Sequence, residues 1–213
     1  MTLEGVIRFD LEFTPGAPVA MDSIRTLNAW RRILWRLGLI GRDPQRYGGA
    51  GFGNVSQRLA APDAPVGNRC FVISGTQTGE REELDASGYS IVSDCDPLNN
   101  RVVATGPVKP SSESLTHGML YDLDPDIHAI LHVHSPHIWR HARALGLPGT
   151  SESVAYGTPE MARETERLFR ETAVRDLGLF IMGGHEDGVV AFGTSPNEAG
   201  QRLLDALVNS YSS

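Results

Sequence analysis

The chain has 213 residues, of which 40% are hydrophobic and 21% charged, and its formal net charge at pH 7 is −7. We expect residues 1–213 to form one globular domain, and the acidic charge argues against a general attraction to nucleic acid. No apolar run reaches the roughly 18 residues that cross a bilayer, and the first residues lack the pattern of a signal peptide. We therefore expect a cytoplasmic protein that does not contact membranes.

Strands and helices are mixed along the chain, with hairpins among them. Alternating residues and short apolar runs predict strands at 5–13, 57–59, 69–74, 89–94, 101–104, 127–134, 179–182 and 189–192. Helical spacing and capping residues predict helices at 23–37, after 109–113, and at 135–145, 158–174 and from 195 onward. Residues 41–56 are rich in glycine and predict a loop. This order favours a mixed or largely antiparallel sheet covered by helices.

The segment 127–136, IHAILHVHSP, contains two histidines one residue apart. On a strand, His132 and His134 point to the same face and can bind one metal ion together. His185 lies in a glycine-rich turn between two predicted strands, where a side chain can face a cleft. Three imidazoles with an open fourth position are the usual ligands of a catalytic zinc ion. The sequence therefore predicts a metal site at these histidines.

Glu113 stands at the start of the helix that precedes the histidine strand. Its carboxylate can serve either as a fourth ligand or as an acid/base group beside the metal. A base in that place removes a proton next to a carbonyl group whose oxygen the metal holds. His117, one helical turn later, is predicted to be structural, with a position facing the same cleft as the alternative.

Short motifs in a fixed order carry a family resemblance. They are GNVS at 53–56, ISG at 73–75, KPSSE at 109–113, HVH at 132–134 and GHEDG at 184–188. In this order, over residues 23–207, the chain resembles the class II aldolase/adducin family. The resemblance implies an α/β fold, a three-layer α/β/α sandwich around a largely antiparallel sheet. It also implies a homotetramer with sites between subunits.

The resemblance implies a role for each candidate site residue. His132, His134 and His185 bind zinc or another divalent metal ion, and Glu113 is the acid/base group. The resemblance also implies a phosphate pocket, in which either Ser74 and Gly75 or Thr78 and Gly79 supply one loop, because GTQTG is not the commonest form of that loop. Small residues, hydroxyl groups and a helix N-terminus are suited to a phosphate. The residues implied for this pocket are Gly53, Asn54, Ser74, Gly75, Ser111 and Ser112.

One part of the family pattern is missing on the side of the aldehyde product. Fuculose-phosphate aldolases have a proton-donating tyrosine there, whereas this chain has Ser153 at that position and a tyrosine displaced to Tyr156. The resemblance implies a zinc-dependent lyase that cleaves or forms a carbon–carbon bond in a small, phosphorylated hydroxy-carbonyl substrate through a metal-stabilised enediolate. Two alternatives remain. One is a sugar-phosphate epimerase or methylthioribulose-phosphate dehydratase with the same zinc site, and the other is a non-enzymatic interaction module like that of adducin.

Overall fold

The computed structural model describes residues 5–59 and 70–212, and its main feature is an eight-stranded sheet. The strands of the chain are β1 (Asp10–Pro15), β2 (Gly41–Arg42), β3 (Gly51–Phe52), β4 (Asn54–Arg58), β5 (Phe71–Ser74), β6 (Tyr89–Asp96), β7 (Arg101–Gly106), β8 (Ala129–His134), β9 (Leu179–Ile181) and β10 (Gly188–Gly193). Their order in the sheet is β1-β7-β6-β5-β4-β8-β10-β9, while β2 and β3 form a separate hairpin. The β1–β7 pair is parallel and the other neighbours are antiparallel, which confirms the predicted sheet type.

Helices cover both faces of this sheet. They are α1 (Arg25–Arg36), α2 (Ser114–Leu123), α3 (Pro136–His141), α4 (Pro159–Glu171), α5 (Val174–Leu177) and α6 (Pro196–Ser210). The predicted caps form at two of them, since Thr158 accepts a hydrogen bond from the Met161 N–H and Ser195 accepts one from the Glu198 N–H. Among the described residues, none of the helices is both long and apolar enough to span a membrane.

Two apolar cores separate the layers. One lies between the sheet and helices α2 and α4, and it contains Phe71, Leu120 and Leu168. The other lies between the sheet and helices α1, α3 and α6, where Leu27 and Leu203 are buried. Every residue of β8 is buried, because this strand lies inside the sheet with a helical layer on each side. The three-layer sandwich expected from the sequence is therefore confirmed.

The first strand differs from its predicted range, 5–13. It begins at Asp10, whose partner is Arg101 on β7, and it continues through Pro15. A proline is tolerated there because β1 is an edge strand, where a backbone N–H need not pair. Upstream, the Gly5 carbonyl accepts a hydrogen bond from the Thr76 hydroxyl at 2.9 Å, so this segment follows a loop instead of the sheet.

The predicted loop at 41–56 contains more structure than its composition indicates. It folds into the β2–β3 hairpin and then starts β4 at Asn54, which pairs with His132. Gly53 joins the two at a φ of 76°, where a Cβ would stand 2.7 Å from Ile40 Cγ1.

The strand predicted at 69–74 is found at Phe71–Ser74, and residue 69 lies outside the described residues. Helices predicted at 135–145 and 158–174 end earlier, at residues 141 and 171.

Arg58 ties the end of α2 to the strand that follows it. Its guanidinium is buried and donates hydrogen bonds to the carbonyl oxygens of Tyr121, Asp124 and Ile127 at 2.8 to 3.0 Å. We expect Arg58→Met to lower the free energy of unfolding by about 2–4 kcal/mol, because buried carbonyls lose a charged donor. Denaturant titration measures this. Arg25→Met, which removes an exposed ion pair, is the control and should change stability by at most about 0.5 kcal/mol. Equal effects of the two substitutions would contradict the assignment.

Candidate metal and anion site

Three buried histidines meet at the end of β8. His132 and His134 come from the strand itself, and their ring centroids are 5.1 Å apart on one face, as strand alternation predicts. His185 comes from the turn between β9 and β10, with its ring 5.1 Å from that of His132 and 4.7 Å from that of His134. One ring nitrogen from each histidine lies within 4.8 Å of the others. These residues therefore form a group that can hold a metal ion.

The state of the rings fits a metal. The His132 Nδ1 lies 3.2 Å from the Val189 carbonyl oxygen, which can only accept, so this nitrogen carries the proton. The Nε2 of His132 is buried without a hydrogen-bond partner in the described part of the chain. Burial holds the pKa of His132 and of His134 well below the usual value, and their histidine neighbours lower it further. Neutral imidazoles oriented by a backbone carbonyl are what a divalent metal such as zinc requires.

The turn that carries His185 is closely packed. A Cβ on Gly184 would stand 1.9 Å from the Val154 carbonyl oxygen, so the position before His185 requires glycine. The His185 Nδ1 lies 3.3 Å from Oε1 of Glu113, a residue that is 1% exposed. The Thr116 hydroxyl donates to the other carboxylate oxygen at 3.3 Å. The predicted acid/base residue therefore lies against the histidine group.

His117 points into the same interior from α2. Its Nδ1 lies 2.6 Å from the Ser56 hydroxyl, which is 2.7 Å from the Tyr121 hydroxyl. Its Nε2 is buried and has no hydrogen-bond partner within residues 5–59 and 70–212. The Nδ1 of His117 is therefore bonded to a chain of two hydroxyl groups, as expected for a structural histidine.

A small polar cleft lies beside the histidines. Of the residues predicted for a phosphate pocket, Gly53, Asn54, Gly75, Ser111 and Ser112 line it, and both Thr78 and Gly79 line it as well. The Ser74 hydroxyl instead accepts a hydrogen bond from the Val55 N–H at 3.1 Å and links β5 to β4. Gly75, Thr78 and Gly79 therefore all line the cleft, and Ser74 lies behind them, bonded to β4.

The displaced tyrosine lies on the histidine group. The Tyr156 ring stacks on His185 with centroids 4.5 Å apart, and its hydroxyl accepts a hydrogen bond from the Val6 N–H at 3.4 Å. The Arg8 guanidinium also lies over the Tyr156 ring, 4.5 Å from its centroid. Ser153, at the position of the family tyrosine, is exposed and bonds to Ser151. The structure therefore brings Tyr156 to the site and leaves Ser153 away from it.

Sequence reasoning missed a polar group on the opposite side of the histidines. The Tyr47 hydroxyl donates to Asp187 Oδ2 at 2.6 Å, and the Arg46 guanidinium contacts both groups. The Tyr47 ring packs edge-on against His134, with centroids 4.5 Å apart. Asp187 belongs to the GHEDG motif, but Arg46 and Tyr47 lie in a glycine-rich turn whose pattern gives no sign of a site.

Sequence comparison assigns the family. Residues 43–206 match the family described as Class II Aldolase and Adducin N-terminal domain, and the chain belongs to this family. Class II aldolases use a divalent metal ion, which is consistent with the three converging histidines.

Similar proteins carry several different activities in their names. A methylthioribulose-1-phosphate dehydratase of Gluconacetobacter diazotrophicus is 36% identical over 108 residues, 50% of this chain and 46% of that protein. A probable L-ribulose-5-phosphate 4-epimerase of Mycoplasma pneumoniae is 36% identical over 84 residues, 39% of this chain and 30% of that protein. The matched segments thus span less than half of either relative. A solved L-fuculose 1-phosphate aldolase has a TM-score of 0.63 at 19% identity, covering 91% of this chain and 85% of that one. This likeness shows the fold.

The buried His117 predicts a pH dependence of stability in the metal-free protein. Burial lowers the pKa of His117 to about 3, from 6.5, so between these values the unfolded chain binds a proton that the folded chain does not. The contribution of His117 to the free energy of unfolding is fully present above pH 6.5. As the pH falls towards 3, the free energy of unfolding decreases by up to about 1.4 kcal/mol per pH unit. We expect denaturant titrations from pH 6.5 to 4.5 to show a shallower slope in His117→Asn, by about one proton. An unchanged slope would contradict this.

Proposed function

We propose that the protein is a zinc-dependent lyase of the class II aldolase type, acting on a small phosphorylated hydroxy-carbonyl compound. The observation that carries this proposal is that the polar cleft, Glu113 and the three histidines are neighbours. Ser111 and Ser112 of the polar cleft directly precede Glu113, which contacts His185. Asn54 of the cleft pairs across the sheet with His132. A substrate with a phosphate at one end and a carbonyl a few bonds away could reach both the cleft and the histidines.

The metal would be held by His132, His134 and His185. Zinc, or another divalent ion, supplies a Lewis acid that polarises a substrate carbonyl. Burial keeps His132 and His134 neutral, and the hydrogen bond from His132 to the Val189 carbonyl orients the His132 ring. Glu113 lies beside His185, where it can act as a further ligand or as the proton-transfer group, and of these two roles we propose the second.

Glu113 is the group that we propose moves the proton. Its carboxylate lies within the buried interior, at 3.3 Å from the His185 ring, and so faces the position where a carbonyl substrate would be held. A carboxylate there can take a proton from the carbon next to the carbonyl or return one to it. The Thr116 hydroxyl restrains the carboxylate through Oε2 and leaves Oε1 towards the histidines.

The phosphate would bind in the polar cleft. Glycine residues allow an anion to approach the backbone closely, and the α2 N-terminus begins at Ser114, directly after the serine pair and Glu113. The similar dehydratase and epimerase are both named for sugar phosphates. The expected homotetramer and the cytoplasmic location stay predictions.

A dehydratase or epimerase is the second candidate. Both reactions, like aldol cleavage, are compatible with a Lewis acid and a carboxylate beside it. The two relatives that are 36% identical, over 84 and 108 residues, are named for these activities. The aldehyde side also departs from the fuculose-phosphate aldolase pattern, because an exposed residue, Ser153, stands at the position of the family tyrosine. A reaction that releases no aldehyde does not need the missing donor.

The metal assignment predicts a specific loss of zinc. His132→Ala removes one of three ligands and should lower zinc affinity by more than about 100-fold, since even loss of an outer partner costs 10–100-fold. Metal analysis after dialysis and competition with a chelator measure it. His137→Ala removes an exposed imidazole and is the control. Stoichiometric zinc in purified, dialysed His132→Ala would exclude this ligand.

The reaction is tested with the zinc-loaded enzyme and a set of phosphorylated ketoses. Carbon–carbon cleavage yields an aldehyde, epimerisation yields a stereoisomer, and dehydration yields a product that has lost one water molecule, so product analysis separates the candidates. Glu113→Gln should keep the fold and lower kcat by about 10²–10⁴-fold, because it removes the proton-transfer group. Wild-type rates in Glu113→Gln would rule out this role. Absence of turnover across the set would argue for a non-enzymatic member of the family.

A further inference from the structure

We propose that Tyr47 is a positioning residue for the three-histidine group, acting through Asp187. This inference rests on the proposed metal site. Tyr47 belongs to the turn before β3, and Asp187 belongs to the turn that carries His185. Their hydrogen bond of 2.6 Å joins segments that are 140 residues apart in the sequence.

The contact is well shielded and has one direction. The Asp187 side chain is 7% exposed, and Arg46 lies over the Tyr47 ring with its guanidinium 4.8 Å from the centroid. The Tyr47 hydroxyl donates this hydrogen bond, and the Asp187 carboxylate accepts it. Because the hydroxyl is directed at Asp187, the geometry favours a positioning role for Tyr47 over transfer of a proton to a substrate.

Asp187 is connected to two of the three histidines. It lies two residues after His185 in a turn closed by the hydrogen bond from the Gly188 N–H to the His185 carbonyl at 2.9 Å. Its own carbonyl accepts a hydrogen bond at 2.8 Å from the N–H of Ser135, the neighbour of His134. A displacement of Asp187 would therefore move the His185 turn relative to the end of β8.

Tyr47 also contacts His134 directly. Its ring and that of Phe52 pack together against His134, with centroids 4.5 Å and 5.3 Å from the imidazole centroid and 5.1 Å from each other. This packing limits the rotation of the imidazole ring. The hydroxyl and the ring of one tyrosine thus restrain His185 and His134 at the same time.

The backbone indicates that the contact holds two unfavourable turns. Tyr47 has a φ of 51° and Asp187 a φ of 62°, a conformation that side chains with a Cβ adopt at a cost. Such conformations persist where surrounding contacts determine them. The bond between these two side chains supplies such a contact at both turns.

The test compares two tyrosine-to-phenylalanine variants of the full chain. Tyr47→Phe removes the hydroxyl and keeps the ring against His134. Tyr89→Phe is the matched control, because this buried tyrosine donates a bond of 2.7 Å to Asn28 Oδ1, outside the histidine group. The readouts are the zinc Kd, from competition with a chelator, and the visible absorption spectrum of the Co²⁺-loaded protein.

We expect Tyr47→Phe to bind zinc 10–100-fold more weakly than wild type and to show an altered Co²⁺ spectrum. Tyr89→Phe should bind within about twofold of wild type, although it loses an equally buried hydrogen bond. A merely structural role would lower the stability of both variants and leave both Kd values unchanged. If Tyr47→Phe does not fold, Asp187→Asn is measured by the same criteria.

The outcomes separate this inference from the proposed function. If wild type binds zinc and the Kd of Tyr47→Phe, or of Asp187→Asn in its place, is within twofold of wild type, the positioning role is overturned and the metal site stands. If wild type binds no zinc, the metal site fails and the inference fails with it. A weakened Kd in Tyr47→Phe together with an unchanged one in Tyr89→Phe supports it.

Discussion

The position of β8 between β4 and β10 is the constraint on which the candidate site depends. Its register places His132 between Asn54 on one side and Val190 on the other, and His134 opposite Gly188. Three distant stretches of chain are thereby brought to one place: the glycine-rich segment before β4, the histidine strand, and the turn of His185. A shift of one residue in this pairing would move both strand histidines to the opposite face of the sheet.

Burial sets the chemistry of this place. A polar group in the interior is costly unless it is bonded, and several of the polar groups near the histidines have such bonds. His132 bonds to a backbone carbonyl, His117 to a serine and Glu113 to a threonine. The same burial keeps His132 and His134 neutral, which leaves ring nitrogens available to a cation. The site is therefore a part of the core that remains polar, with packing on each side holding its geometry.

Local conformational preference fails at the turns around the site. Gly184 has no room for a Cβ, and Tyr47 and Asp187 adopt a backbone conformation that favours glycine. Conflicts between local preference and the fold are expected where function places its own requirements on a structure. Their position around the histidines is consistent with a site shaped by more than stability, and it connects the three histidines to a second layer of side chains.

The sequence by itself determined most of the elements and indicated the candidate metal-binding group. Periodicity marked the helices and most strands, since those patterns reflect contacts within one element, and HVH with GHEDG marked the three histidines. It placed the edge strand wrongly and gave no sign of the Arg46, Tyr47 and Asp187 cluster. Only the tertiary structure decided these, along with the position of Tyr156 on His185 and of Ser74 behind the polar cleft. The physical reason is that each depends on pairing register or on hydrogen bonds between residues far apart in the chain, which no local pattern records.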